Sequence, residues 1–211
     1  MKLATLGLLA CISTAAATDV SVAITNSAGQ PLEDAVVWLV PVGARLPPPP
    51  AAHLVIDQQH RHFVPLVSVM QTGTSVDFPN SDNIRHSVYS FSAAKPFTLK
   101  LYSGKPSAPV TFDRPGIVLL GCNIHDSMVA WLAVVDSAWY GRSDAAGHLQ
   151  IRAVPPGQYH LQAWHAGQNV APAPRLLSLA GAQDSQQLQI DGVGLQSLLP
   201  TADNEHHRSG E

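Results

Sequence analysis

The chain has 211 residues, with Lys+Arg 12 against Asp+Glu 15, a formal charge of −3 and only 13% charged residues. That length suits one large or two small domains, and the acidic balance argues against nucleic acid or an anionic membrane surface as a partner. With Gly 15 and Pro 17 and no long helical periodicity, the composition also argues against a helical protein.

Residues 1–17 hold one Lys, an apolar run from Leu3 to Ile12, and the ending Ala15-Ala16-Ala17. This is the pattern of a cleavable export signal, and it predicts a periplasmic protein. The run is too short to cross a bilayer, and no other segment reaches about 18 continuous apolar residues, so no transmembrane span is expected. Leu8-Leu9-Ala10-Cys11 also resembles a lipoprotein cleavage box, which makes a lipid anchor at Cys11 the alternative. Cleavage after Ala17 removes Cys11 and leaves Cys122 as the single cysteine. An intramolecular disulfide is then excluded, and stability must come from a core.

From Asp19 the chain reads as short strands separated by turn signals, the mark of an all-β sandwich or barrel. "DVSVAIT" alternates, "NSAGQPLEDA" turns, and "AVVWLVP" is a second strand. The run Pro47 to Pro50 is stiff and extended and reads as a boundary. Beyond it come "PLVSVM", "SVDF", the loop "PNSDNIR" and "HSVYSF", then "FTLKLY", "VTF", "GIVLL" and "VAWLAVV". The rhythm continues through "SDAAGHLQIRAVPPGQYHLQAWHAG" to "QQLQI", and residues 200–211 form a polar tail expected to be disordered.

Between "GIVLL" and "VAWLAVV" stand Cys122, His125 and Met128, three residues apart each. Thiolate, imidazole and thioether make a soft, mixed ligand set. Zinc has little use for a thioether, whereas two His, one Cys and a long axial Met form the copper electron-transfer geometry. A second histidine must come from elsewhere, and His86, opening a strand some 35 residues upstream of Leu120–Cys122, is the best placed. The alternative is a buried structural Cys beside an unrelated His and Met.

"GTSVDFPNSDNIRHSVYSF" followed by "DRPGIVLLGCNIHDSM" resembles the plastocyanin-like cupredoxins, whose first His follows a G-x-x-V-x-F-x-N-x-D strand and loop. The short Cys-x-x-His-x-x-Met spacing is similar to that of amicyanin. The longer context through "AWLAVVD" to "PPGQYHLQAWH" resembles periplasmic cupredoxin-like proteins labelled methylamine utilization proteins. The resemblance implies one type 1 copper site cycling between Cu(I) and Cu(II), with His86, Cys122 and His125 equatorial and Met128 axial. Two departures stand out. Ser87 occupies the place after the first His where such proteins usually carry an Asn that ties the two ligand loops together, and Ile124 stands where a proline is frequent. Both put the surroundings of the ligands, and so the reduction potential, in question.

The flanks resemble a different module. "VSVAITNSAGQPLEDAVVWLVP" and "GRSDAAGHLQIRAVPPGQYHLQAWHAG" look like the two halves of a prealbumin-like, carboxypeptidase regulatory-like sandwich, with Tyr159, Leu161 and Ala163 pointing inward. Two strands are too few to be stable alone. The expected organisation is therefore a cupredoxin Greek-key sandwich at 51–136 inserted into, or flanked by, a second sandwich made of 18–46 and 137–193. Pro47 to Pro50 and Asp136 to Tyr140 would be the crossings. A single larger barrel, or two unrelated β appendages, is the competing arrangement.

The remaining histidines have plainer readings. His60 and His62 in "QQHRHF" would share a strand face and form either a second metal site or a solvated edge. His53, His148, His160 and His165 read as surface or packing residues, and His206 and His207 lie in the tail. Met70, Tyr89, Phe91 and Trp131 read as core. The leading functional expectation is one-electron transfer with a periplasmic redox partner, a cytochrome or a dehydrogenase. Four protein ligands leave no open position for substrate, so no enzyme is expected. By resemblance His125 would be the electron port, rimmed by Ile124. The alternatives are a copper carrier or scavenger with the same ligands, and an envelope binding module with a carbohydrate-binding-like fold.

Overall fold

The computed structural model describes residues 17–51 and 53–192. Nearly all of the expected export signal, Cys11 and the polar tail with His206 and His207 lie outside the described residues. No helix among the described residues is long and apolar enough to cross a membrane.

All regular structure among the described residues is β. Strands β1 (Thr18–Thr25) and β2 (Val36–Pro41) come first, followed by the short β3 (Leu54–Val55), β4 (Asp57–Gln59) and β5 (His62–Val64). The middle supplies β6 (Val67–Gln71), β7 (Ser75–Asp77), β8 (His86–Ser90), β9 (Phe97–Tyr102), β10 (Val110–Thr111), β11 (Gly116–Cys122) and β12 (His125–Val135). Then come β13 (Tyr140–Arg142), β14 (His148–Val154), β15 (Gly157–Trp164), β16 (Arg175–Leu179) and β17 (Gln183–Gln189). The all-β expectation holds.

These strands build two sandwiches. In one, the sheets β14-β1-β17 and β13-β2-β15-β16 enclose a core of Val20, Val22, Ile24, Leu39, Ile151, Tyr159, Leu161 and Leu179. The period of two places alternate residues of β1 inward, and Val20, Val22 and Ile24 are all buried. Tyr159, Leu161 and Ala163 on β15 point into the same core, as their spacing predicts. Both strand neighbours of β1, and both of β2, come from beyond Asp136. In the other sandwich, the sheets β6-β12-β11-β8-β9 and β10-β7-β3 enclose Val76, Phe78, Val88, Phe112, Val118, Leu120 and Leu132.

Turn chemistry closes the first sandwich. Asn26 Oδ1 accepts the N–H groups of Ala28 (3.0 Å) and Gln30 (2.9 Å), and Asp144 Oδ1 accepts those of Ala146 and His148 (both 2.9 Å). Side chains of this kind mimic a backbone turn. Gly147 completes the second turn at φ 75°, where a Cβ would stand 2.4 Å from the Ile24 carbonyl oxygen. Only glycine fits there.

The sandwiches meet through a third apolar layer. Val67, Trp131, Ala133 and Val135 from one pack with Val36, Trp38, Tyr140 and Trp164 from the other. Strands β2 and β12 are thus buried on both faces, which is why "AVVWLV" and "VAWLAVV" are continuous rather than alternating.

The segment Asp136 to Tyr140 runs from the end of β12 to the start of β13, where Tyr140 pairs with Trp38. The residues before Tyr140 are tied down too, since buried Ser137 donates to the Leu39 carbonyl (2.6 Å). Several expectations need correction. His60 does not share a strand face with His62. It sits with Arg61 in the β4–β5 turn, at φ 52° and 59°, so the side chains do not follow strand alternation. Phe91 is not core but 82% exposed, beyond the end of β8. It borders a groove of about 380 Å³ with Tyr89, Leu119, Gly121 and Val129. His165, by contrast, is fully buried, with Nε2 3.1 Å from the Glu33 carbonyl, and burial is the main cause holding its pKa below the usual value.

The pairing generates a test. A chain ending at Asp136 lacks β14, β17, β13 and β15, so the amides of Val20 to Thr25 should exchange with solvent at rates near those of an unfolded chain, while Val118 to Leu120 stay protected. Persistent slow exchange in Val20 to Thr25 would mean that β1 finds its partners elsewhere.

Candidate metal centre

The site begins with a hairpin. β11 and β12 are antiparallel, and the turn between them is only Asn123 and Ile124. Gly121 pairs with Val129, but the next residue, Cys122, pairs with His125. This break in register gives β12 extra residues without partners on β11, as in a bulge. A regular strand would point His125 and Met128, three residues apart, to opposite faces. The irregularity brings both to the side of Cys122.

Strand β8 supplies the remaining donor. It lies beside β11, pairing Tyr89 with Gly121, and this sets His86 next to Cys122. Gly121 lets the strands approach, because a Cβ there would fall 2.7 Å from the Tyr89 ring and hydroxyl. His86 Nδ1 lies 3.9 Å and His125 Nδ1 4.0 Å from Cys122 Sγ. All three donor atoms lie within 4.8 Å of one another, and the imidazole centroids are 4.9 Å apart at 61°. Bonds of roughly 2.0–2.3 Å to one central ion would space donors about 3.5–4 Å apart, so the residues present fit a metal ion. Met128 is fully buried in the same apolar cluster as Cys122. Among the described residues this is the one His/Cys/carboxylate group with such convergence; His60 and His62 do not form another.

The environment is asymmetric. His86 is fully buried and Cys122 is 3% exposed, whereas His125 is half-buried beside Ile124, which is 50% exposed. Ser87, the apparent departure, performs the bridging expected of an Asn. Its Oγ accepts the Asn123 N–H (2.9 Å) and donates toward Cys122 Sγ (3.7 Å), joining β8 to the hairpin.

Two residues that the sequence reading left without roles shape the loop before His86. Asn80 Nδ2 donates to the carbonyls of Ile84 and Tyr102 (both 2.9 Å). Asp82 Oδ2 lies 2.7 Å from His86 Nε2. Burial opposes ionisation of Asp82, but the Arg61 N–H, the His86 ring and the His60 N–H together outweigh it and hold the carboxyl below its ordinary pKa. The signal was present in the sequence: these are the last two named positions of G-x-x-V-x-F-x-N-x-D. Nearby, burial is the main cause pushing the Tyr102 phenol up to about 12. Its hydroxyl donates to the Phe78 carbonyl (2.7 Å).

No protein-family description matches the chain, and no curated protein does. Solved structures do. A copper-containing nitrite reductase from Thermus scotoductus is 26% identical with a TM-score of 0.38, over 46% of this chain and 25% of that one. The chain thus spans about a quarter of that protein's length. A purple cupredoxin from Nitrosopumilus maritimus is 19% identical with a TM-score of 0.35, over 39% of this chain and 99% of that one. An oxidized mutant of amicyanin is 19% identical with a TM-score of 0.34, over 39% of this chain and 82% of that one.

Ser87 is open to test. Ser87→Ala should leave the Asn123 N–H without its acceptor and cost about 1–3 kcal/mol in denaturant unfolding. Ser87→Asn should recover part of that loss if the bridging contact is what matters.

Proposed function

We propose that the chain is a type 1 copper protein that passes single electrons between partner proteins in the periplasm. The observation that supports this most is the triangle of His86 Nδ1, Cys122 Sγ and His125 Nδ1, whose cysteine shares one apolar cluster with the Met128 thioether. One thiolate, two imidazoles and a thioether suit copper better than zinc, magnesium or calcium. His86, Cys122, His125 and Met128 would hold the ion, and copper would supply a reversible one-electron couple.

The chain's own residues provide the rest. Leu120, Met128 and Leu132 are fully buried in the same apolar cluster as the cysteine, a core that excludes water. Ser87 fixes the hairpin to β8, so the donors stay in place when the charge changes. Four protein ligands leave no place for a substrate, which favours a carrier over an enzyme. His125 and Ile124, at the exposed tip of the hairpin, would form the contact through which electrons pass to a cytochrome or dehydrogenase. The prealbumin-like sandwich would serve as a docking module at the envelope, and a place in methylamine oxidation remains part of the same proposal.

The visible spectrum tests it. The purified chain with Cu(II) should be intensely blue, green or purple, and ascorbate should bleach it reversibly. Cys122→Ser should abolish the colour with the fold intact. Met128→Leu should retain copper and change chiefly the potential, while His86→Ala should weaken binding far more. A colourless protein fully loaded with copper would overturn electron transfer in favour of a copper carrier.

A further inference from the structure

We propose that Asp82 is the positioning residue of the metal centre: its carboxylate aims His86 Nδ1 at Cys122, and the β4–β5 turn aims the carboxylate. The inference rests on the reading of His86 and Cys122 as metal ligands. An imidazole carries its proton on either nitrogen, and the partner of one nitrogen decides the state of the other. His86 is enclosed on all sides, with Nε2 2.7 Å from Asp82 Oδ2 and Nδ1 3.9 Å from Cys122 Sγ. An acceptor at Nε2 keeps the proton there, so the lone pair of Nδ1 faces the sulfur. A carboxylate–histidine pair of this kind orients a metal ligand and makes it more basic.

Asp82 is itself held from a distant part of the chain. Its Oδ1 accepts the His60 N–H (2.6 Å) and its Oδ2 accepts the Arg61 N–H (2.9 Å). Both donors belong to the β4–β5 turn, at φ 52° and 59°. A two-residue hairpin loop takes φ > 0 at both central residues, as His60 and Arg61 do between the paired Gln59 and His62. The turn so formed presents two successive N–H groups to one point, and the carboxylate accepts both. From its own loop, Asp82 N–H donates to Asn80 Oδ1 (3.1 Å), and Asn80 is anchored to Ile84 and Tyr102. A surface turn, an acidic side chain and a buried ligand therefore form one connected unit. The side chains of His60 and Arg61 take no part in it; their backbone does.

The experiment has a metal-free and a metal-bound reading. In the full chain without metal, nitrogen NMR of His86 should show one tautomer, protonated at Nε2. Asp82→Ala should lose that single state, and Asp82→Asn, which keeps one acceptor oxygen, should largely preserve it. With Cu(II) bound, Asp82→Ala should surrender the ion to a chelator about 10–100-fold more readily than the unaltered chain. His60→Gly combined with Arg61→Gly retains both N–H groups and suits the left-handed turn, so it should match the unaltered chain in both readings. An unchanged His86 tautomer in Asp82→Ala would overturn the proposal, as would a loss of thermal stability with tautomer and copper retention both intact. If Asp82→Ala does not fold, Asp82→Leu, of similar size and without an acceptor oxygen, takes its place: a His86 ring of mixed tautomers supports the proposal, and an unaltered ring with unaltered copper release overturns it. If the unaltered chain binds no copper, the ligand reading fails, while the tautomer result still decides the role of Asp82.

Discussion

Strand β12 is the constraint on which the rest of the structure depends, because both of its faces are buried. Ala130, Leu132 and Val134 belong to the core of one sandwich, while Trp131, Ala133 and Val135 pack against the other. Its edges are occupied as well, by β11 in antiparallel and by β6 in parallel register. No rotation or slip of this strand is possible without moving one set of side chains out of a core, since a slip of one residue exchanges the two faces. Its first residue is His125 and its fourth is Met128. A strand so fixed gives the donors at its start a defined position before any ion binds, which is what a metal site needs from its scaffold.

The two histidines of the site are held in opposite ways. His86 is enclosed, joined through Asp82 to a turn far away in sequence, and followed by Ser87, which joins it to the hairpin. His125 sits at the end of a two-residue turn and is open on one side. A buried ligand with a fixed proton resists rearrangement, and a half-exposed one shortens the distance to a docked molecule. The proposed electron transfer would draw on both properties, and a ligand set of equivalent histidines would supply only one of them.

Much of this was legible in the sequence where the signal is local. Val20, Val22 and Ile24, or Tyr159, Leu161 and Ala163, announce a strand with one buried face through their spacing alone. The set His86, Cys122, His125 and Met128 could be assembled because soft donors on adjacent strands leave a recognisable pattern. The continuous runs of β2 and β12 announced strands but not what covered their second faces, since an apolar run does not name its partner. The β4–β5 turn gave no signal, because neither His60 nor Arg61 is a turn-former and the group that supports them, Asp82, lies 22 residues further on. Phe91 is exposed against expectation because an aromatic just past a strand end carries no mark of the side it faces. Ser87 in place of the expected Asn puts the surroundings of the ligands in question, yet a hydroxyl accepts one N–H as well as an amide oxygen does.

The same strand also explains how the second sandwich can be large without hiding the site. The chain enters the sandwich that holds His86 and Cys122 near Pro47, whose carbonyl accepts Gln71 Nε2 (2.6 Å) at the end of β6. It leaves at Asp136, whose Oδ1 accepts the Thr72 hydroxyl (2.8 Å) at the end of β12. Both crossings therefore lie at one end of the sandwich. Cys122 and Gly116, the β11 partners of His125 and Val134, are six residues apart, a separation of about 20 Å at the usual rise per residue. The packing residues Trp131, Ala133 and Val135 belong to the half of β12 nearer the crossings. Joining the two sandwiches in this way buries the far half of the strand and keeps the hairpin tip at Ile124 free. An insertion whose crossings lay beside Asn123 and Ile124 would have covered the one ligand that is open to the surface. The placement of the junction, and not only the donor set, is what leaves Ile124 at the hairpin tip exposed beside His125.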